Sequence, residues 1–425
     1  MLQMKDSAKK LSPWFWVPTL YFAEGIPYFV VNSISVIMFN RMGMPNGEMA
    51  LLTSLLYLPW VIKPLWSSFV DVISTKRWWV TAMQVLISLC FILVALTVPS
   101  KTYSVILILF WITAFASATH DIAADGFYML ALSESEQSFF VGVRSTFYRL
   151  ATVFGQGVLV VVAGVLETRT GNIPAAWSYT LLLTALIFSA VTLWHLFFLP
   201  RPERRVEGRQ SVGEIARGLG QSFSTFFRKK GVLEAMVFML LYRLPEAFLV
   251  KMLNPFLLAG SGDGGLGMTT AQVGVVYGTA GIAALTVGGI LGGMAVSKWG
   301  LKKCLWPMAL ALAVPSLAFI GLSIFQPESI WVTAVFICLD QFGYGFGFTA
   351  YMLYMIYFSR GEFKTSHYSL CTAFMALSMM LPGLVAGYLQ EFLGYTGFFI
   401  MVGVCCLVTV GVTFLLKIED DYGRK

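Results

Sequence analysis

Long apolar runs separated by short polar loops recur along the whole chain, without the every-second-residue alternation of a β-barrel strand. Twelve of these runs reach the roughly 20 residues that carry a helix across a bilayer. They lie at about 14–39, 48–70, 79–98, 103–131, 143–166, 177–199, 231–258, 271–297, 304–325, 329–358, 366–389 and 396–416, and are referred to as spans 1 to 12. One longer polar segment, 200–230, opens with PRPERRVEGRQ and separates six spans from six. The pattern predicts an all-α polytopic membrane protein of 12 transmembrane helices in two halves, with an N-terminal half at 1–200, a basic linker at 201–230 and a C-terminal half at 231–425.

Composition agrees with this pattern. Of the 425 residues, 57% are hydrophobic and 12% charged, about half the charge that a soluble domain carries. A net charge of +7 would suit nucleic acid, but the basic residues sit in short loops between apolar runs. With the N-terminus inside, the inner segments hold 21 Lys and Arg and the outer loops only Arg41, Lys101 and Arg169. The positive-inside rule then predicts both termini in the cytoplasm, in the inner membrane of a cell, with no nucleic-acid partner. The six cysteines fall in spans or at their inner ends, so no disulfide framework is expected. The apolar run after Lys9 and Lys10 is too long for a signal-peptide core and lacks a small-residue cleavage site.

The halves repeat. SSFVDVISTKR (67–77) follows span 2, GMAVSKWGLKK (293–303) follows span 8, and the two align without a gap, placing Asp71 opposite Ser297, Lys76 opposite Lys302 and Arg77 opposite Lys303. A basic loop repeated after the second span of each six-span half resembles the signature loop of the major facilitator superfamily. The second copy keeps every motif position except the Asp; the first keeps Asp71, Lys76 and Arg77 and loses both glycines. The resemblance implies the major facilitator fold, with Asp71, Lys76 and Arg77 gating the inner side and spans 1, 4, 7 and 10 lining a central cavity.

An ionisable side chain within a span costs at least ~2.5–3.5 kcal/mol, so each requires a reason. Glu24, Lys63, His120, Asp121, Asp125, Arg144, Arg149, Arg243, Glu246, Lys251 and Asp340 all fall in spans. Counting along the helices puts Glu24, Arg243 and Asp340 near the midplane, with Glu246 one turn from Arg243 and Asp121, Asp125, Arg144 and Arg149 toward the inner side. Asp121 and Asp125 share a helix face. Asp125 with Arg144 reads as an ion-paired clamp between spans 4 and 5, while Asp121 leans toward coupling or the substrate path. Arg243 and Glu246, three apart, are expected to neutralise each other in part, either as a fixed bridge or as a substrate-binding pair. Glu24 and Asp340 have no partner on their own helices; burial disfavours their charged form and makes them proton-coupling candidates beside Asp121, unless a basic group on another helix meets them. His195 and His367, near inner span ends, read as interfacial.

Aromatic residues accompany these charges. Tyr21 and Tyr28 on span 1, and Tyr344 and Tyr351 on span 10, are candidates to contact an amphiphilic or sugar-containing ligand. The alternating Gly343, Gly345 and Gly347 point to close helix approach or a hinge in span 10. No P-loop, zinc cluster or nucleophile constellation occurs. The reading is therefore a carrier rather than an enzyme, without cofactor, driven by a proton gradient, taking a small-molecule substrate and acting as a monomer in contact with lipid.

Several motifs together resemble the AmpG-type muropeptide permeases, a branch that also includes relatives of acetyl-CoA transporters. They are YFAEGIPY on span 1, LPWVIKPLWSSFVD around Lys63 and Asp71, ATHDIAADGFYMLAL around Asp121 and Asp125, FYRLATVFGQG around Arg149 and LYRLPEAFLVKMLNPFLL on span 7. The match is strongest over 18–160, and Asp-Ile-Ala-x-Asp is its most specific element. The chain departs at Thr119-His120, at Pro245-Glu246, and in having twelve spans where some members have fourteen. The resemblance implies proton-coupled import of anhydro-muropeptides from periplasm to cytoplasm. The alternatives are a proton-coupled carrier of another sugar, oligosaccharide or small anionic metabolite, and a non-transporting membrane sensor, for which 200–230 is too short to supply a signalling domain.

Overall fold

The computed structural model describes residues 12–201, 212–361 and 363–424. Lys5, Lys9, Lys10 and the linker stretch 202–211 lie outside the described residues, as does the side chain of Asp71. Among the described residues there are helices and connecting turns but no strand. Within lipid a helix satisfies its own backbone hydrogen bonds, which irregular chain cannot do.

Nine helical stretches among the described residues are long and apolar enough to cross a membrane. They are Pro13–Arg41 (span 1), Lys76–Ser100 (span 3), Tyr103–Ala131 (span 4), Gly142–Thr170 (span 5), Ile173–Phe198 (span 6), Thr270–Trp299 (span 8), Leu301–Phe325 (span 9), Ile330–Phe358 (span 10) and Lys364–Thr413. The last holds spans 11 and 12, divided at Gly394, whose φ of 67° and ψ of 174° leave the helical region. Spans 2 and 7 are broken helices. Span 2 runs as Asn46–Leu55, Leu58–Ile62 and Pro64–Ile73, and span 7 as Val232–Leu241 and Leu244–Leu258. Pro59, Pro64 and Pro245 each sit in the first turn of a new piece, where a missing N–H costs nothing but the preceding helix cannot continue. A further helix, Val212–Phe227, lies in the linker and anchors Phe226 against Phe358 and Phe374.

Span 10 is continuous. Its glycines serve close approach: a Cβ at Gly343 would lie 2.0 Å from the Ala311 carbonyl of span 9, and one at Gly345 2.0 Å from the Leu285 carbonyl of span 8. Leu96, Ile108, Phe197, Phe325, Trp331, Phe392 and Leu407 are exposed around the molecule, as a lipid-facing surface requires.

Within the first half, span 3 packs on spans 4 and 6, and span 1 on spans 4 and 5; within the second, span 10 packs on spans 8 and 9. The halves meet where span 2 lies along span 11 and span 5 along span 8. We call the side bearing residues 12 and 424 the terminal face and the other the far face. At the far face the halves are bonded together. Asn46 donates to Gln390 at 2.7 Å, the Gly47 N–H to Glu391 at 2.7 Å, and Thr270 to Glu167 at 2.7 Å. Glu167 also takes Arg41 at 3.0 Å and the Trp177 indole at 2.9 Å. Toward the terminal face the charged groups between the halves become accessible: the side chains of Asp125 and Arg144 are 42% and 32% exposed. The halves are thus hydrogen-bonded together at the far face, while the Asp125–Arg144 pair is partly exposed toward the terminal face.

Candidate functional site

The central region is assembled from both halves. On span 4 the one-turn spacing of Asp121 and Asp125 turns both carboxylates toward span 1 and its neighbours. Asp125 receives Arg144 of span 5 at 2.8 Å and the Tyr21 hydroxyl of span 1 at 3.4 Å. The Arg144 guanidinium lies over the Tyr21 ring at 4.5 Å and near Tyr128 at 5.6 Å. Tyr21 is thereby buried and supports this ion pair, which is a different place from the open substrate surface expected of it. Asp121 accepts the Trp60 indole N–H at 3.0 Å and lies 3.7 Å from Lys63, both on span 2. Its cation therefore comes from span 2.

Glu24 stands one turn above Tyr21 on span 1. It is buried, it forms no hydrogen bond or ion pair among the described residues, and its Oε2 has no partner. Tyr28, a further turn along, sets its ring edge-on to Trp60 at 5.1 Å and near Tyr57 at 6.4 Å. Arg149 reaches across to the Thr286 hydroxyl of span 8 at 3.4 Å, so it joins the halves and does not pair with the span 4 acids. Lys76 is buried with its side chain packed on Gly126 of span 4. Arg77 donates to the carbonyls of Leu196 at 2.7 Å and Leu199 at 3.1 Å, capping the end of span 6. Arg77 thus ties the start of span 3 to the end of span 6 within the first half.

In the second half the break in span 7 sets the chemistry. Arg243 falls at the junction, outside the helix that begins at Leu244. It donates to the Tyr344 hydroxyl, and its guanidinium lies 4.7 Å from the Phe348 ring and 5.3 and 5.8 Å from those of Tyr344 and Tyr351. Its Nε has no partner. The expected ion pair with Glu246 does not form: spacing of three residues brings side chains together only on an unbroken helix, and this one restarts between them. The two still lie within electrostatic reach of each other; Arg243 is also within reach of Tyr28 and Tyr57 of the opposite half, and Glu246 of Asp340 and Tyr277. Asp340 accepts Ser316 of span 9 at 3.0 Å and Gln341 at 3.2 Å, neutral donors that sequence counting did not supply. Tyr351 is fully buried, donates to the Met239 carbonyl at 2.7 Å and stacks on Tyr242; it forms the floor beneath Arg243 rather than a ligand surface.

Two histidines also differ from expectation. His195 is buried, not interfacial: it meets the Thr19 hydroxyl at 2.9 Å and Gln84 at 2.9 Å, and Gln84 bridges to His120 at 2.9 Å. His367 is buried against Thr225 of the linker helix at 3.0 Å. The partners that sequence reasoning missed are Trp60, Gln84 and Glu167, single polar groups within apolar runs whose importance depends on what another span brings to them.

The outcome is a chamber between the halves in which Lys63–Asp121 and Arg144–Asp125 are the ion pairs among the described residues. Glu24 in the first half and Arg243 in the second, like Arg149, Glu246, Lys251 and Asp340, meet no opposite charge within 4 Å among the described residues.

Comparison with known proteins agrees with this architecture. Residues 19–362 match the family described as Major Facilitator Superfamily. "Putative transporter AmpG 4" of Rickettsia felis is 24% identical over 95% of this chain and 96% of its own. "Anhydromuropeptide permease" of Escherichia coli is 22% identical over 82% of this chain and 68% of its own. Among solved structures, a D-xylose-proton symporter superposes with a TM-score of 0.70 at 13% identity, covering 96% of this chain and 98% of its own, which shows a shared fold. With twelve expected spans, a junction of the two halves along spans 2, 5, 8 and 11 and a family match over most of its length, the chain is a multi-pass membrane transporter that belongs to the major facilitator superfamily.

Proposed function

We propose that this transporter imports anhydro-muropeptides together with protons across the inner membrane, with the terminal face toward the cytoplasm. The observation that carries the reading is a pair of groups with unpartnered atoms in the chamber, Glu24 Oε2 and Arg243 Nε. Arg243 offers a guanidinium fork with a free Nε to a substrate carboxylate, which it can bind bidentately. Glu24 is buried and costly as an anion without a donor or cation, and inexpensive once a proton has neutralised it. Asp121 and Asp340 are each supported by donors, so Glu24 is assigned the coupling proton, with Asp121–Lys63 beside it.

The names of the relatives support the substrate class, since several are AmpG transporters and one an anhydromuropeptide permease. The aromatic surroundings of Tyr28, Trp60, Tyr344 and Phe348 suit sugar rings, and Arg243 suits the acid of a lactyl or peptide group. With acid outside, protonation of Glu24 and seating of the carboxylate at Arg243 would permit reorientation; opening to the terminal face would release both.

The test is uptake of labelled anhydro-muropeptide and of a neutral disaccharide into proteoliposomes under an imposed pH gradient. Accumulation of the muropeptide, abolished by collapsing the gradient, is expected. Gradient-independent equilibration, or preference for the neutral disaccharide, would overturn the reading.

A further inference from the structure

Lys251 lies on span 7 two turns beyond Arg243 toward the far face, about 12 Å away at 1.5 Å per residue. It is 1% exposed. An ammonium has three N–H donors. One meets the Thr53 hydroxyl of span 2 at 3.0 Å, and the Tyr57 ring lies 5.2 Å from the nitrogen. Thr53 donates its own proton to the Met49 carbonyl, so a lone pair is all it offers. Among the described residues no carboxylate stands within 4 Å of Lys251. Beside it two more polar atoms are buried without partners: Ser54 Oγ, which shares Gly383 of span 11 as a neighbour with the lysine stem, and Asn254 Oδ1, one turn along the same helix. A buried cation with a single neutral acceptor is among the costliest arrangements in a protein.

The geometry gives this cost a purpose. Lys251 belongs to the second half and its single hydrogen bond goes to the first, so the contact exists only while the far face is shut. Parting the halves breaks it and carries Ser54 away with span 2, leaving the ammonium and Asn254 together on span 7. We propose that Lys251, with the side-chain amide N–H of Asn254 beside it on span 7, forms an anion-binding site of the far-face-open state, which captures a solute carboxylate before it reaches Arg243 and is dismantled when the far face closes. The site rests on the reading above in taking the solute to be anionic and to arrive from the far face. Its collapse makes capture one-sided: on the terminal-face-open side Arg243 alone would hold the acid, which favours release there.

The experiment uses the full-length protein in a cysteine-free background carrying Ser54→Cys, in oriented proteoliposomes. Anionic sulfonatoethyl and cationic trimethylammonium-ethyl methanethiosulfonates of equal size are applied from the far side. With Lys251 present, the anionic-to-cationic rate ratio should exceed that of the Lys251→Met variant by about tenfold or more, the scale of one nearby unit charge. Lys251→Arg should restore the ratio. N-acetylmuramate should slow modification when Lys251 is present, and its methyl ester should not. Lys251→Met removes a buried charge and keeps the apolar stem, so folding is preserved. A ratio independent of residue 251, or a cysteine at 54 that is never modified from the far side while one at 46 is, would overturn the site. Loss of muropeptide uptake in otherwise active wild-type vesicles, with the charge preference intact, would instead refute the substrate reading and leave the site standing.

Discussion

Gly278 of span 8 faces the backbone of span 5 across the junction of the halves. A Cβ added there would lie 1.9 Å from the Gln156 carbonyl oxygen and 2.3 Å from its carbon, where real contacts stay beyond 3.0 Å. Both sides are backbone, so no flexible side chain can swing away, and the helices must part locally by at least about 1.1 Å. Overpacking of this kind costs about 1–3 kcal/mol. The penalty falls on the far-face-closed state alone, because opening that face separates spans 5 and 8. At 1.4 kcal/mol per factor of ten, Gly278→Ala should shift the equilibrium toward the far-face-open state by between about 5-fold and 150-fold. The readout is the rate at which Ser54→Cys is labelled by an impermeant maleimide from the far side, with and without Gly278→Ala, together with uptake. Labelling should rise by a similar factor while turnover falls. Unchanged labelling with normal turnover would show that spans 5 and 8 stay packed through the cycle, and the assignment of the far-face seal would fail.

Further outcomes follow from the chamber. Arg144→Gln should reduce transport strongly by leaving Asp125 without its cation, and the double exchange Asp125→Arg with Arg144→Asp should recover part of it; equal activity in the single variant would remove the clamp. Glu24→Gln should abolish pH-gradient-driven accumulation while substrate exchange persists, and concentrative uptake by this variant would exclude Glu24 as the proton carrier. Tyr344→Phe frees Arg243 from its hydroxyl and should raise the apparent KM for an anionic substrate by about tenfold, on the scale of one charged hydrogen bond of about 1.5 kcal/mol, with little change for a neutral sugar. Gln84→Leu leaves two buried histidines without their bridge and should lower stability by about 1–3 kcal/mol, seen as an earlier melting transition in detergent.

The sequence carried the helices further than it carried the contacts. Span 4 was legible at both ends because an uninterrupted apolar run leaves little choice of boundary, and it is found at Tyr103–Ala131. Asp125 with Arg144 was legible because two opposite charges in neighbouring spans at one depth have few alternatives in a low dielectric. Arg243 and Glu246 form no salt bridge, since a helix starts at Leu244 between them, yet they stay close enough to neutralise each other in part, as their spacing implied. Lys63 and Trp60 on Asp121, Ser316 on Asp340, and Thr53 beneath Lys251 could not be read along the chain. Each partner lies on a different span, and only packing decides which residues of two spans meet. His195 was misplaced for the same reason: a histidine near a span end is interfacial unless something such as Gln84 receives it.

The two ion pairs of the chamber have an electrical consequence. Lys63 answers Asp121 and Arg144 answers Asp125 whether or not cargo is aboard, and whatever Glu246 and Asp340 carry is common to both journeys of the cycle. On the proposed mechanism the difference between loaded and empty carrier would be one proton at Glu24 and one carboxylate at Arg243, which cancel. A membrane voltage exerts about 2.3 kcal/mol per elementary charge per 100 mV, and on a monoanionic solute moved in this way it does no net work. Accumulation would follow the proton concentration ratio alone and ignore a potassium–valinomycin clamp. A solute with two ionised carboxylates would move one uncompensated negative charge and be held back by an inside-negative potential, so that voltage itself would rank the cargoes that this arrangement can concentrate.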